Sequence, residues 1–536
     1  MTTSRDTLVG VGWLLRLHLR LDRVRLCVWT VGFLVVVWAS VLAVREAYPT
    51  PESLQTRAQL LHNPAAIMMT GPLFGADDYT LGAAVANELM LYVLVPAAIM
   101  SVLLVVRHTR AEEESGRLEL VRALPVGRFA PAAAAVLTVG LANLLVAGAV
   151  TVALWAAGGV DVDSVAFGAA TGLTGLFFGA LTATLAQMST NVSVIRGIAL
   201  GAVAGAYVIR GVGDVLNAQG SWLSWFSPLA WAQQTRVYVD LRWWPLLVSV
   251  AATLALLALA AVLGSRRDLG SGLWPTRPGR ARAPCRLLSP AGLAWRLNAG
   301  TFAAWGVGLA VFAVAMGSLA DALEEMMLET PGLQEWVELD MSQLTRSFSA
   351  LILSFLVLVP AGLIVGGVLG LRNEESGGRT DGTLVSGSSR TGYLTGWVGV
   401  IAALGIAVTV VAGVAAGVGV AWGTGDWAWV GELTVASLAY LPAVLFFGAL
   451  TVAAHGWAPR IAPVVWAVVG WAAIVAFLGE LLGLPDWARG ISPLWHTPLL
   501  PDADVEVLPL LALALAAAAL AAVGFVGYRR RDLSGR

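Results

Sequence analysis

Arg107-His108-Thr109-Arg110-Ala111-Glu112-Glu113-Glu114-Ser115-Gly116-Arg117-Leu118-Glu119-Leu120-Val121-Arg122-Ala123-Leu124-Pro125 lies between two apolar runs, residues 85–106 and 130–157. Each run is long enough for the roughly 20 residues a helix needs to cross a bilayer, so the charged stretch reads as a loop between two spans. Its Glu113-Glu114-Ser115-Gly116 returns as Glu374-Glu375-Ser376-Gly377. Two further phrases return in the same order: Ser227-Pro228-Leu229 as Ser492-Pro493-Leu494, and Arg266-Arg267-Asp268-Leu269 as Arg530-Arg531-Asp532-Leu533. The offsets run from 261 to 265 residues. Self-similarity at a nearly fixed period marks a duplicated unit.

The rest of the chain has the same character. Of its 536 residues, 58% are hydrophobic and 12% charged, about half the charge of a soluble domain. The fold class is therefore all-α, a polytopic membrane protein. Twelve spans are expected, near 26–44, 85–106, 130–157, 164–187, 192–211, 243–264, 300–320, 348–371, 393–420, 432–454, 461–482 and 506–527. Barrel strands would instead alternate over about ten residues. The spans fall into two homologous six-helix halves, 1–264 and 293–536. Between them, 265–292 is rich in Arg, Pro and Gly and reads as a linker. Halves that begin on the same side form a parallel repeat, related by an axis along the membrane normal.

Arginine placement orients the chain. With both termini in the cytoplasm, only Arg45, Arg57, Arg210, Arg236, Arg242, Arg346 and Arg489 fall outside; the other 26 of the 33 basic residues fall inside. The N-terminus has no cleavable signal pattern, since its basic stretch Arg5–Arg25 is too long.

Every basic residue is arginine. A Walker-type phosphate loop needs Gly-Lys-Ser/Thr, so any ATP that drives this chain binds to another polypeptide, and the chain carries no cofactor of its own. Cys27 and Cys285 give no disulfide framework, and the five scattered histidines give no metal site. Nothing points to nucleic acid.

The inner loop 107–128 is the strongest functional candidate. Glu113 and Arg117 stand at i, i+4, the spacing of a helical ion pair. Leu118, Val121 and Leu124 form an apolar stripe, and Pro125 ends the helix. Such a helix is a docking element; a solvated loop whose arginines only enforce topology would have no need of Glu112, Glu113 and Glu114. In the second copy Glu375 and Arg379 keep the pair, with Glu374 beside them, and Arg390 mirrors Arg128. Gly377, Gly378, Gly382 and Gly387 weaken that helix. The segment 13–25 sets Leu14, Leu17, Leu21 and Val24 against Arg16, Arg20 and Arg23, the pattern of a helix lying on the inner leaflet. Glu88, Arg210, Glu432 and Glu480 fall near outer span ends, where snorkelling to the interface accounts for them. Asn87, Asn191, Tyr207, Trp466 and Glu480 are the polar or aromatic candidates for a substrate path.

Six spans with a charged inner loop after the second and a Trp/Pro-rich outer segment before the sixth resemble the permease of a type 2 ABC exporter. The fused double form is similar to actinobacterial permeases for polyketide antibiotics of the tetronasin type. The resemblance is carried by Glu112 to Arg117 with Leu124-Pro125-Val126-Gly127-Arg128, by Glu374-Glu375-Ser376-Gly377 with Arg390, and by Arg266 to Leu273. It implies a bacterial plasma-membrane location and two copies of a separately encoded ATPase holding ATP and Mg. It implies that 107–128 and 372–390 are coupling helices, that spans 2, 5, 8 and 11 line a path between the halves, and that the cargo is a lipophilic drug or metabolite. On this reading the chain is not an enzyme. Two rivals remain. A proton-coupled twelve-span transporter would rely on Glu88, Glu432 and Glu480, and a membrane enzyme would rely on the acidic segment Asp321 to Asp340.

Overall fold

Backbone N–H and C=O groups in lipid must be satisfied within the chain, which restricts an open apolar sequence to helices. The computed structural model describes residues 7–532 other than 62–63, 159–160, 218, 269, 275–281, 283, 319, 321–340 and 479–483. Among these residues there is no strand. The acidic segment 321–340, Glu480 and most of the Pro-rich part of the linker lie outside the described residues.

The chain divides into two compact units, Met1–Pro278 and Gly279–Arg536. The first contains α1 (Val11–Ala47), α2 (Pro51–Leu60), α3 (Pro64–Thr70), α4 (Leu81–His108), α5 (Arg110–Glu114), α6 (Arg117–Arg122), α7 (Ala130–Ala156), α8 (Val162–Met188), α9 (Val192–Leu216), α10 (Pro228–Gln233) and α11 (Trp244–Ser265). The second contains α12 (Pro290–Gly317), α13 (Met341–Leu356), α14 (Leu358–Ser376), α15 (Arg379–Val385), α16 (Arg390–Thr424), α17 (Ala428–Ala439), α18 (Leu441–Trp457), α19 (Val465–Leu478), α20 (Asp486–Arg489) and α21 (Val507–Arg530). Eleven helices among the described residues are long and apolar enough to cross a membrane. α13 with α14, and α17 with α18, each make one of them. The span expected at 461–482 overlaps α19, 14 residues long, and residues 479–483 lie outside the described residues.

Capping sets many of the helix starts. Thr80, Asp161, Asn191, Ser289 and Ser389 each accept a hydrogen bond from an amide in the first turn. Small residues bring helices together where lipid gives no hydrophobic drive. A Cβ on Gly168 of α8 would stand 2.5 Å from the Ala147 carbonyl oxygen of α7, and one on Gly456 of α18 would stand 2.2 Å from that of Gly524 in α21. The outward faces carry unpartnered Val28, Val31, Val35, Leu144, Leu254 and Leu515, a surface for acyl chains.

The N-terminal segment differs from expectation. It is not a separate helix on the leaflet but the first turns of α1, which runs 37 residues, about 55 Å. Its buried face is Leu14, His18, Asp22, Leu26, Phe33, Val37 and Val41, at helical spacing. Leu17, Leu21 and Val24 face outward. His18 and Asp22 turn inward beside Leu14 and Leu26 because they find partners there, while Arg16, Arg20 and Arg23 stay exposed with Leu17, Leu21 and Val24.

Candidate functional site

At the arginine-rich end of the first unit, α4 stops at Thr109 and the charged loop begins. Gly116 has φ 73°, the left-handed region that glycine tolerates. It splits the expected helix into α5 and α6. The predicted Glu113–Arg117 pair is therefore not made: Arg117 Nη1 reaches Glu112 at 3.2 Å across the glycine. Glu113 is free to turn inward. It accepts from Arg110 Nη1 and from Arg267 Nη1 and Nη2 at 3.0 and 2.8 Å. Arg267 follows the end of α11, and Arg128 donates to the Ser265 and Arg267 carbonyls at 2.9 and 3.3 Å. Glu114 accepts from the Val192 amide at the start of α9, where a helix N-terminus favours negative charge. The loop is thus bolted to two other helices by charge-assisted bonds.

The second unit repeats the bolt with a different partner. Glu375 accepts from Arg531 Nη2 with both oxygens at 2.7 Å and lies 3.0 Å from His455 Nε2. Arg390 Nη1 donates to the Arg531 and Arg529 carbonyls at 2.9 and 3.5 Å. Arg379 forks onto Glu374 at 2.8 Å through Nε and Nη2, and this exposed pair holds the Arg379 guanidinium above its ordinary pKa. Gly378 is left-handed, as Gly116 is. These matches correct the repeat register in the loop. Glu112 corresponds to Glu374, Glu113 to Glu375, Gly116 to Gly378 and Arg117 to Arg379, an offset of 262 rather than the 261 of the Glu-Glu-Ser-Gly phrase. Despite its glycines, the second loop forms α15 over seven residues, one more than α6.

The apolar stripe also divides. Leu118 and Val121 are half-buried, and Val121 packs against Leu14, Ala130 and Ala134. Leu124 stays exposed beside Leu120. In the second loop Val385 is the strongly exposed apolar side chain, while Leu384 packs on the core.

Sequence reasoning missed a buried polar cluster beneath the first loop. Asp22 is fully buried and pairs with His108, with Arg25 at 2.7 Å and with Arg107 at 3.1 Å. His18 stacks on His108 with ring centroids 4.1 Å apart and lies 3.2 Å from the Thr138 hydroxyl. The i, i+4 spacing of His18 and Asp22 on one face of a span was the available signal.

Two of the path candidates bond to distant backbone carbonyls. Asn87 donates to the Pro72 carbonyl at 3.2 Å, and Tyr207 to that of Met69 at 3.1 Å. Arg210 does not snorkel. It is fully buried, pairs with Asp214 at 3.1 Å and donates to the Ile67 and Met68 carbonyls; Asp214 also accepts from the Ser224 hydroxyl at 2.6 Å. With Gln233 on the Thr70 carbonyl, these side chains clasp the C-terminal end of α3. A cation at a helix C-terminus is favourable. Asn191 caps α9 at the opposite end of the unit, and Trp466 lies over Gly362 and Gly366 with nearly half its surface exposed. Glu88 pairs with Arg57 at 2.9 Å, and Glu432 with Arg346 at 3.0 Å. Arg57 is held above its usual pKa, the Glu88 carboxylate outweighing burial. Among the described residues no group of three or more His, Cys, Asp or Glu is placed to hold a metal.

A polytopic all-helical protein whose charged loops are bolted to the ends of its membrane helices has the layout of a membrane permease. The chain belongs to the family described as the multidrug efflux system permease Rv1217c, C-terminal domain, whose model matches residues 14–264 and 287–529. It is 36% identical over 532 residues to the multidrug efflux system permease protein Rv1217c of Mycobacterium tuberculosis (strain ATCC 25618 / H37Rv), covering 98% of this chain and 95% of that protein.

Proposed function

We propose that this chain is the membrane-spanning subunit of an ATP-driven exporter of lipophilic drugs or antibiotics, of the type 2 ABC class in its fused 6+6 form. Both termini face the cytoplasm. Two copies of a separately encoded ATPase, carrying ATP and Mg, engage the loops 107–128 and 372–390. The observation that carries this reading is the pair of bolts, Glu113–Arg267 and Glu375–Arg531. A loop tied by buried charge to the last helix of its own unit transmits a push to that helix, and bistable rocking of helical bundles is a known route to alternating access. Exposed Leu120, Leu124 and Val385 supply the apolar contacts an ATPase groove would cover.

The test is reconstitution. Proteoliposomes containing the chain and its genomic-neighbour ATPase should accumulate a lipophilic dye on ATP addition, and those with the chain alone should not. Nucleotide-independent transport by the chain alone would sink the reading. One observation favours the rival, a proton-coupled twelve-span transporter: Asp22 is a buried carboxylate with His18 and His108 beside it. Dye efflux that an uncoupler abolishes while ATP persists would select that rival.

A further inference from the structure

The two units differ in what fills the corner behind the loop. In the first, a cavity of ≈ 1110 Å³ opens between α7 and α11, floored by α8 and roofed by the loop. That exceeds the roughly 300–1,000 Å³ of a drug-sized ligand site. The matched bolts align the two corners residue by residue. Pro131, Ala135, Ala261 and Gly264 of the first stand where the second has Tyr393, Trp397, Phe525 and Tyr528. Tyr393, Trp397 and Tyr528 are 1%, 2% and 0% exposed, so the second corner is filled by its own aromatic rings. Protein interiors are close-packed. A duplicated corner that keeps small residues around an open space is built for an occupant.

The cavity wall states the occupant's chemistry. Four arginines (Arg110, Arg122, Arg128, Arg267) face two carboxylates, Glu113 and Asp268. Glu113 is already shared by Arg110 and Arg267, and Arg122 and Arg128 have no carboxylate partner among the described residues. Arg110 is 2% exposed, yet its Nη2 has no hydrogen-bond partner. Past this basic mouth the wall is apolar, with Val136, Leu137 and Leu257. From Arg128 to Leu137 along α7 is about 14 Å.

We propose that the first unit binds one anionic glycerophospholipid, its phosphodiester at Arg110, Arg122 and Arg128 and its acyl chains between α7 and α11. Basic crevices between membrane helices on the cytoplasmic side suit such headgroups. The orientation is that of the proposed function, while the site needs neither ATP nor substrate.

The experiment uses the purified full chain, exchanged through detergent and analysed by native mass spectrometry after incubation with dioleoyl-phosphatidylglycerol or dioleoyl-phosphatidylcholine. One phosphatidylglycerol should be retained in preference to phosphatidylcholine by about tenfold. Ala135→Trp, which copies the second unit, and Gly264→Phe, where a Cβ would meet only Gln187 at an ordinary 3.5 Å, should each remove that adduct. Thermal stability checks folding, and Gly264→Phe carries the test if Ala135→Trp does not fold. Arg122→Gln should lower the preference for the anionic lipid about fivefold, the effect of one basic residue near a membrane surface. Equal retention of both lipids, wild-type retention by the folded cavity-filling variants, or displacement by inorganic phosphate or glycerophosphoglycerol as effective as by the diacyl lipid would overturn the proposal. No nucleotide is present, so these outcomes are separate from the fate of the exporter reading.

Discussion

The carboxylate bolts at Glu113 and Glu375 do the same mechanical job with different chemistry. Glu113 holds two arginines, one of them almost wholly buried. Glu375 holds one arginine and one histidine. The first helices differ in the same sense. α1 buries His18 and Asp22, whereas the buried residues of α12 are Ala294, Phe302, Gly306, Leu309, Ala313 and Gly317. Charge is concentrated in the first corner, and aromatic bulk fills the second. A duplicated scaffold has kept its tether while the two copies stabilise their corners by opposite means.

That contrast can be broken most directly at the carboxylates. Glu113→Ala leaves Arg110 and Arg267 unpaired behind the loop, and removing one partner of a buried pair costs about 3–5 kcal/mol. Glu375→Ala should cost only about 1–3 kcal/mol, because it orphans one arginine, whereas Glu113→Ala orphans two, the nearly fully buried Arg110 among them. Thermal or denaturant unfolding of the two variants decides the matter; equal losses would mean that the bolts are energetically alike.

Asp22→Ala sharpens the comparison at α1. Arg25 and Arg107 are partly exposed and can turn to water, so a loss of about 1–3 kcal/mol is expected from the orphaned His108. No shift in stability would show that the cluster contributes nothing there.

The outward faces should also differ. On the proposed exporter reading, Leu120→Asp with Leu124→Asp should weaken binding of the partner ATPase at least about tenfold, or 1.4 kcal/mol. Val385→Asp should weaken it less, having one exposed side chain to disrupt. Titration of the ATPase onto immobilised permease gives both values, and a larger effect at Val385 would reverse the assigned order. The smallest effect belongs to Arg117→Ala and Arg379→Ala. Their carboxylate pairs are exposed, and such pairs are worth about 0–1 kcal/mol. A larger drop for either would reveal a buried role that the geometry lacks.

Span positions were legible because burial in lipid demands long apolar runs, and the runs are long. The loop's importance was legible because its glutamates recur. Its geometry was not: Glu-Glu-Ser-Gly aligns by letters at one offset, while the left-handed Gly116 and Gly378 align the backbone at another. The inward turn of Glu113 needs Arg267, 154 residues away. The burial of Arg210 turns on the distant carbonyls at the end of α3, which carry no side-chain signal, and only Asp214 at i+4 marks it in the sequence. The backbone bonds of Asn87 and Tyr207 are hidden in the sequence for the same reason, since a polar side chain in a span looks alike whether it faces cargo or backbone.

Composition and period alone settled that this chain is a helical membrane protein with a repeated charged loop, because water and lipid act on every residue in the same way wherever it sits. Which carboxylate meets which arginine, which face of α1 turns inward and which corner stays open depend on contacts between residues far apart in sequence. Those contacts form only when the helices pack, and packing alone chose among them.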